Sequence, residues 1–346
     1  MVNVKIMTFD EYLNDNKAIL IDVRTPKEFI ADKIPNTVNI PVLLDDERVQ
    51  VGTTYVQVSK EKAKEMGVEF ISKRLPEIFK QVQELSKIHS TLLFMCARGG
   101  MRSSSITSLF ESLGYKTAKL QGGYKEYRKY IHETIPTVNK DFKYIVVHGK
   151  TGVGKTKILN KLSAMGIAVM DLDKMAAHKG SFFGALGETL PQSQKRLDGE
   201  VFEFLRTCKS KYIVVESESK RIGDVYVPES VYQAMTEGIH VYVDTNLENR
   251  IEILMEDYSH VSQNDIKECI LKVGRYVSKE KTQKYLDLLA NNQLIELCKT
   301  LIKEYYDPLY KVSGSKHEYK LSIIYENIDD CTEQLANYIK KMEENS

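Results

Sequence analysis

The chain has 346 residues, 42% hydrophobic content and a formal net charge of +1, so it can bury more than one core and neither announces nor excludes a nucleic-acid partner. Residues 1–13 lack the basic start, apolar run and cleavage signature of a leader, and no run of about 18 apolar residues occurs, so a cytoplasmic protein that does not enter a membrane is expected. Five cysteines (Cys96, Cys208, Cys269, Cys298, Cys331) without a Cys-x-x-Cys pair suggest no disulfide framework and no zinc knuckle, and no bound metal is expected from them.

In chain order, the first part alternates strand and helix: a strand over 18–23, helical stretches over 60–67 and 75–88, a strand over 91–95, a cysteine-bearing loop, and a helix ending at Gly114. Residues 1–133 form the first α/β domain, and the proline and polar content of 134–142 predicts a linker. A second α/β domain over 143–245 opens with the apolar strand Tyr144-Ile145-Val146-Val147, followed by a glycine loop, a helix through Ala164 and a strand over 167–170. Residues 246–346 read as a mainly helical extension with one further strand over 321–324.

The loop Cys96-Ala97-Arg98-Gly99-Gly100-Met101-Arg102 follows the apolar run Leu92 to Met95, and Ser103-Ser104-Ser105 leads into a helix. Paired glycines let the backbone curl so that successive amides aim at one point. Those donors, a helix N-terminus and Arg102 favour a central anion and lower a thiol below its free value of about 8.5. Cys96 is therefore the expected nucleophile and Arg102 its partner.

Gly149-Lys150-Thr151-Gly152-Val153-Gly154-Lys155-Thr156 lies between an apolar strand and a helix, the setting of a phosphate-cradling P-loop. Its amides and Lys155 are expected to hold a diphosphate, with the Thr156 hydroxyl placed for Mg2+, although no cofactor is obligatory. Later strands end in acid at Asp171, Asp173, Glu216 and Asp244, which suits metal or base chemistry and equally suits helix capping.

Three segments resemble the rhodanese family: Asp22-Val23-Arg24-Thr25-Pro26-Lys27-Glu28-Phe29, Ile34 through Pro41, and Leu120-Gln121-Gly122-Gly123-Tyr124. That family carries sulfur on its loop cysteine. Five residues separate Cys96 from Arg102 where simple sulfurtransferases usually have four, and this longer loop resembles the phosphatase relatives that admit a phosphate-like anion. The two-domain order, with Val51 to Gln57, Asp171-Leu172, His178 to Gly184, Gln192 to Lys195 and Glu216 to Gly223, strongly resembles the tRNA 2-selenouridine synthase family. The resemblance implies a rhodanese-like α/β domain followed by a P-loop NTPase-like parallel-sheet α/β domain with a helical C-terminal region.

For function, the resemblance implies conversion of wobble 2-thiouridine in tRNA to 2-selenouridine through a geranylated intermediate, with geranyl diphosphate and selenophosphate as substrates. The glycine loop would grip the geranyl diphosphate and Cys96 would take selenium as a Cys–Se adduct. The family-like stretches add His178, Ser181 and Arg221 to Asp171, Asp173 and Glu216 as candidates in the second domain. Transient contact with a selenophosphate-producing enzyme is a further expectation. Lys272, Arg275, Lys279 and Lys281, with Lys284, Tyr276 and Tyr285, suit phosphates and base stacking, as would any solvated helix face. Two other readings stay open at this level: a P-loop kinase or NTPase fused to a sulfurtransferase, and a phosphatase-like enzyme using Cys96.

Overall fold

The computed structural model describes residues 4–178, 193–258, 261–309 and 317–345. The chain divides into two compact units, Met1–Thr134 with Asp198–Phe202, and Ile135–Leu197 with Glu203–Ser346.

The first unit holds five parallel strands: Ile6–Met7 (β1), Ala18–Asp22 (β2), Val38–Asn39 (β3), Thr91–Met95 (β4) and Thr117–Leu120 (β5), in the order β1-β5-β4-β2-β3. Every residue of β4 is buried, as a central parallel strand covered on both faces requires. After β2 the chain moves to one side of the sheet and after β4 to the other. The carboxyl ends of these two neighbours therefore form the crevice where open α/β sheets bind ligands. Cys96 directly follows β4, and Asp22 closes β2.

The second unit holds Lys143–His148 (β6), Val169–Met170 (β7) and Tyr212–Glu216 (β8), a small antiparallel hairpin of Arg221–Ile222 (β9) and Val225–Tyr226 (β10), then Ile239–Thr245 (β11) and Leu321–Tyr325 (β12). The five strands outside the hairpin are parallel, in the order β12-β11-β6-β8-β7. Ile145, Val147, Val241, Val243 and Ile323 share one buried face with Ile158 and Leu162 of the helix Lys155–Ala164 and Leu335 and Ile339 of the helix Ile328–Glu344.

Two local features differ from the sequence expectation. The stretches over 60–67 and 75–88 join into one helix, Lys60–Ile88, with Pro76 inside it. The segment over 134–142 is ordered: the helix Gly123–Val138 runs through Pro136 into a 3-10 turn, Asn139–Asp141. Tyr124, Tyr127, Ile131 and Ile135 are buried at helical spacing, and that apolar stripe outweighs the one hydrogen bond a proline forfeits. Among the described residues no helix is long and apolar enough to cross a membrane.

Candidate active site

Cys96 is 3% exposed, and its sulfur sits inside a ring of donors. The Gly100 amide donates to Sγ at 3.2 Å, and the Ser103 hydroxyl lies 3.2 Å away. Burial alone would push the Cys96 thiol up. Hydrogen bonds from the Ser103 hydroxyl and amide and from the Arg98 amide, with the charge of Arg102, outweigh that and leave the thiol below its ordinary value. Gly100 caps the helix Met101–Ser112 without a side-chain acceptor, so the amides of its first turn face the same loop. By contrast, burial pushes Cys298 up to about 11 and Cys331 up to about 12.

The loop is braced from behind by Gly122-Gly123. Tyr124 donates its amide to the Cys96 carbonyl at 2.9 Å, and Lys125 donates to Ala97 at 3.0 Å. Gly123 has φ +63°, and a Cβ there would stand 2.1 Å from the Cys96 carbonyl oxygen. Arg98 and Met101 are exposed, while Ala97 and Gly99 are half-buried.

The residues that carried the rhodanese resemblance have assignable physical tasks. Arg24 and Asp22, 3% and 0% exposed, pair through the Arg24 Nε at 2.9 Å, and Arg24 also donates to the Asp32 carbonyl and covers the Tyr124 ring at 4.1 Å. Glu28 accepts from Arg102 at 2.6 Å. Arg102 is thus oriented by a carboxylate that the sequence pattern alone does not assign to the site. Ser103, in sequence only the lead into a helix, is the closest side-chain partner of the sulfur.

In the second unit, the glycine loop turns on Gly152 and Gly154, at φ +84° and +67°. Gly149 packs so closely that a Cβ would meet the Val243 carbonyl oxygen at 2.6 Å. Two side chains fasten the loop backbone: Arg250 Nε donates to the Thr151 carbonyl at 2.9 Å while pairing with Asp307, and the Tyr325 hydroxyl donates to the Val153 carbonyl at 2.7 Å. Lys155 Nζ reaches the Gly149 carbonyl at 2.9 Å and Glu216 at 3.3 Å, and the Thr156 hydroxyl donates to Glu216 at 3.3 Å.

Beside Lys155, carboxylate oxygens of Asp173, Glu216 and Glu218 lie within 4.8 Å of one another. Among the described residues one buried Asp173 oxygen has no partner at hydrogen-bond distance, and His178 Nδ1 stands 3.8 Å from it. Burial, with the charges of Asp173 and Glu216, raises Glu218 to about 8. Sequence reasoning passed over Glu218, which the chain folds back by donating the Glu218 amide to the Glu216 carbonyl at 2.8 Å. Asp171 does not join this cluster of three. It caps the short helix Leu172–Met175, accepting from the Lys174 amide at 2.9 Å. Arg221 engages Gly223 and Asp224 within its own hairpin, and Ser181 lies outside the described residues.

Lys272, Arg275 and Lys279 are exposed, as is Tyr276. Tyr285 is not available for stacking, because the helix Lys279–Ala290 turns it into a core with Ile270, Val273 and Leu297 at 0% exposure. Lys281 and Lys284 both lie against Glu304, at 4.0 and 2.8 Å, which offsets part of their charge. The same helical region encloses an apolar pocket lined by Leu254, Met255, Ile266, Leu297, Cys298 and Ile302, and Thr151 of the glycine loop forms part of its wall.

Comparison with known proteins fits this geometry. Residues 7–130 match the rhodanese-like domain, and residues 142–344 match the AAA domain of tRNA 2-selenouridine synthase. The chain is 32% identical over 243 residues to the tRNA 2-selenouridine synthase of Nitrosomonas europaea, and 34% over 245 residues to that of Nitrosomonas eutropha. Each alignment covers 69% of this chain, and 63% and 62% of those relatives. A third synthase, from Pseudomonas syringae pv. syringae, is 27% identical over 365 residues, with 96% of each chain covered. The synthase match alone covers more than half of the chain, the whole second parallel sheet included: the chain belongs to the tRNA 2-selenouridine synthase family.

Proposed function

We propose that the chain converts wobble 2-thiouridine in tRNA to 2-selenouridine in the cytoplasm, geranylating the sulfur from geranyl diphosphate and then replacing it with selenium from selenophosphate. The observation that carries the geranyl step is the apolar pocket whose wall includes Thr151. A prenyl diphosphate needs an anion cradle and an apolar slot side by side, and the glycine loop and the pocket supply that pair. In this step the uridine sulfur attacks the first carbon of the prenyl chain, and the N3 proton of the base passes to solvent. The carbon–oxygen bond breaks with its electron pair leaving on diphosphate, where Lys155 and the loop amides stabilise the charge.

The thiolate cradle supports the selenium step. Cys96 attacks phosphorus, and the phosphorus–selenium bond breaks with its electron pair on selenium, which leaves as hydroselenide after taking a proton. The Cys–Se adduct that the resemblance implied is not formed, because selenide-level selenium would need a two-electron oxidant to join a thiolate. Hydroselenide attacks C2 of the base and expels geranylthiolate, its proton passing to N3 to give 2-selenouridine, and water then cleaves the Cys96 sulfur–phosphorus bond and releases phosphate. Selenophosphate would reach the loop by transient contact with the enzyme that makes it.

The oxygen donors Asp173, Glu216, Glu218 and Thr156 fit a hard cation such as Mg2+, and the unpartnered Asp173 oxygen favours one. When bound, that ion would offset diphosphate charge. Cys298→Trp tests the pocket: the KM for geranyl diphosphate should rise at least about tenfold while protection against unfolding by inorganic diphosphate persists. Unchanged geranyl transfer would remove the pocket from the reaction.

A further inference from the structure

A second cluster in this unit has no part in the chemistry above. His148 closes β6, immediately before Gly149; His240 is the second residue of β11; and His317 precedes β12. One ring nitrogen from each lies within 4.8 Å of the others, and His240 is buried. The His148 Nε2 and His240 Nδ1 atoms face each other at 2.8 Å, and the His240 and His317 rings stack with centroids 4.0 Å apart.

The tautomers follow from the neighbours. His240 Nε2 lies 3.1 Å from the Thr236 carbonyl, which only accepts, so Nε2 carries the proton and Nδ1 presents its lone pair. A backbone carbonyl fixing the outer nitrogen while the inner one faces a shared point is the usual second layer of a histidine metal ligand. Moving the His148 proton to Nδ1 leaves two lone pairs on the same point, with His317 as the third donor. Three nitrogens at metal–nitrogen bonds of about 2.0 Å in tetrahedral array lie about 3.3 Å apart. The facing pair opens slightly and the third ring closes in, adjustments within side-chain rotation.

We infer that His148, His240 and His317 form a binding site for a borderline transition-metal ion of the Zn2+ class, with water completing the coordination. Imidazole donors without carboxylate select such ions over Mg2+ or Ca2+. The ion ties the end of β6, the start of β11 and the approach to β12 together, and so fixes the residue from which the glycine loop departs.

The test is Co2+ titration into the full chain after chelator treatment. Tetrahedral Co2+ should give visible ligand-field bands saturating at one ion per chain, without the near-ultraviolet charge-transfer band of thiolate ligands. Zn2+ should displace it. The bands should disappear in both His240→Ala and His317→Ala and persist in Glu218→Gln, with folding checked by circular dichroism; His317→Gln serves where an alanine variant does not fold. Absence of the bands in the wild-type chain, their survival in the histidine variants, or their loss in Glu218→Gln alone would overturn the site.

Discussion

The Ser103 hydroxyl lies 3.2 Å from the Cys96 sulfur, while the hydroxyl's other neighbour at the same distance is the Gly100 carbonyl. Ser103 therefore ties the nucleophile to the turn that forms its anion cradle. In Ser103→Ala the thiol should move back up. Losing a hydrogen bond to a charged group, worth ~1.5 kcal/mol, lowers the thiolate population below the midpoint by about tenfold. Ultraviolet thiolate absorbance against pH, with Cys96→Ser as the blank, measures this. A midpoint that stays put would assign the depressed value to the backbone amides alone.

Glu218 should leave a signature in stability against pH. Its folded value is raised to about 8, so between the ordinary carboxylate value and about 8 the folded state holds a proton that the unfolded state has lost. Stability from this group accordingly falls as pH rises through that window and levels off above it. Thermal midpoints of Glu218→Gln should decline less steeply over the same range, and saturating Mg2+ should flatten the wild-type slope. Parallel profiles for the two proteins would mean that Glu218 ionises normally.

Lys272, Arg275 and Lys279 are the exposed charges of the run that are not placed against Glu304. The double variant Lys272→Glu, Arg275→Glu should weaken tRNA binding and reduce the slope of log affinity against log salt by about two, roughly one for each phosphate no longer neutralised. Filter binding across a salt series reads both. An unchanged slope would leave these residues as a solvated face.

What was legible in advance was whatever depends on neighbours in sequence. The run Thr91–Met95 and the turn after it placed Cys96 at a strand end, and glycines at fixed offsets marked the second loop before its strand and helix were seen. Less visible were interactions made by folding back. Ser103 reaches Cys96 because the helix starts at Met101 and returns that position to the strand end. Glu218 joins Glu216 through a backbone turn that looks, in sequence, like a second acid on a solvent loop. Strands of two residues, such as Ile6–Met7 and Val38–Asn39, carry no periodicity to read. Tyr285 reads as a stacking platform in sequence because its neighbours are basic, while the helix face it occupies is set by packing against Ile270 and Val273.

The central claim is a division of labour between Cys96 and Lys155, and nucleoside mass spectrometry of 2-thiouridine tRNA, after incubation with geranyl diphosphate and then selenophosphate, tests it most directly. Wild-type protein should pass through the geranylated nucleoside to 2-selenouridine. Cys96→Ser should stop at the geranylated form, and Lys155→Ala should lose geranyl transfer by about 10² to 10³ yet still selenate pre-geranylated tRNA. Full selenation by Cys96→Ser, or full geranylation by Lys155→Ala, would contradict it.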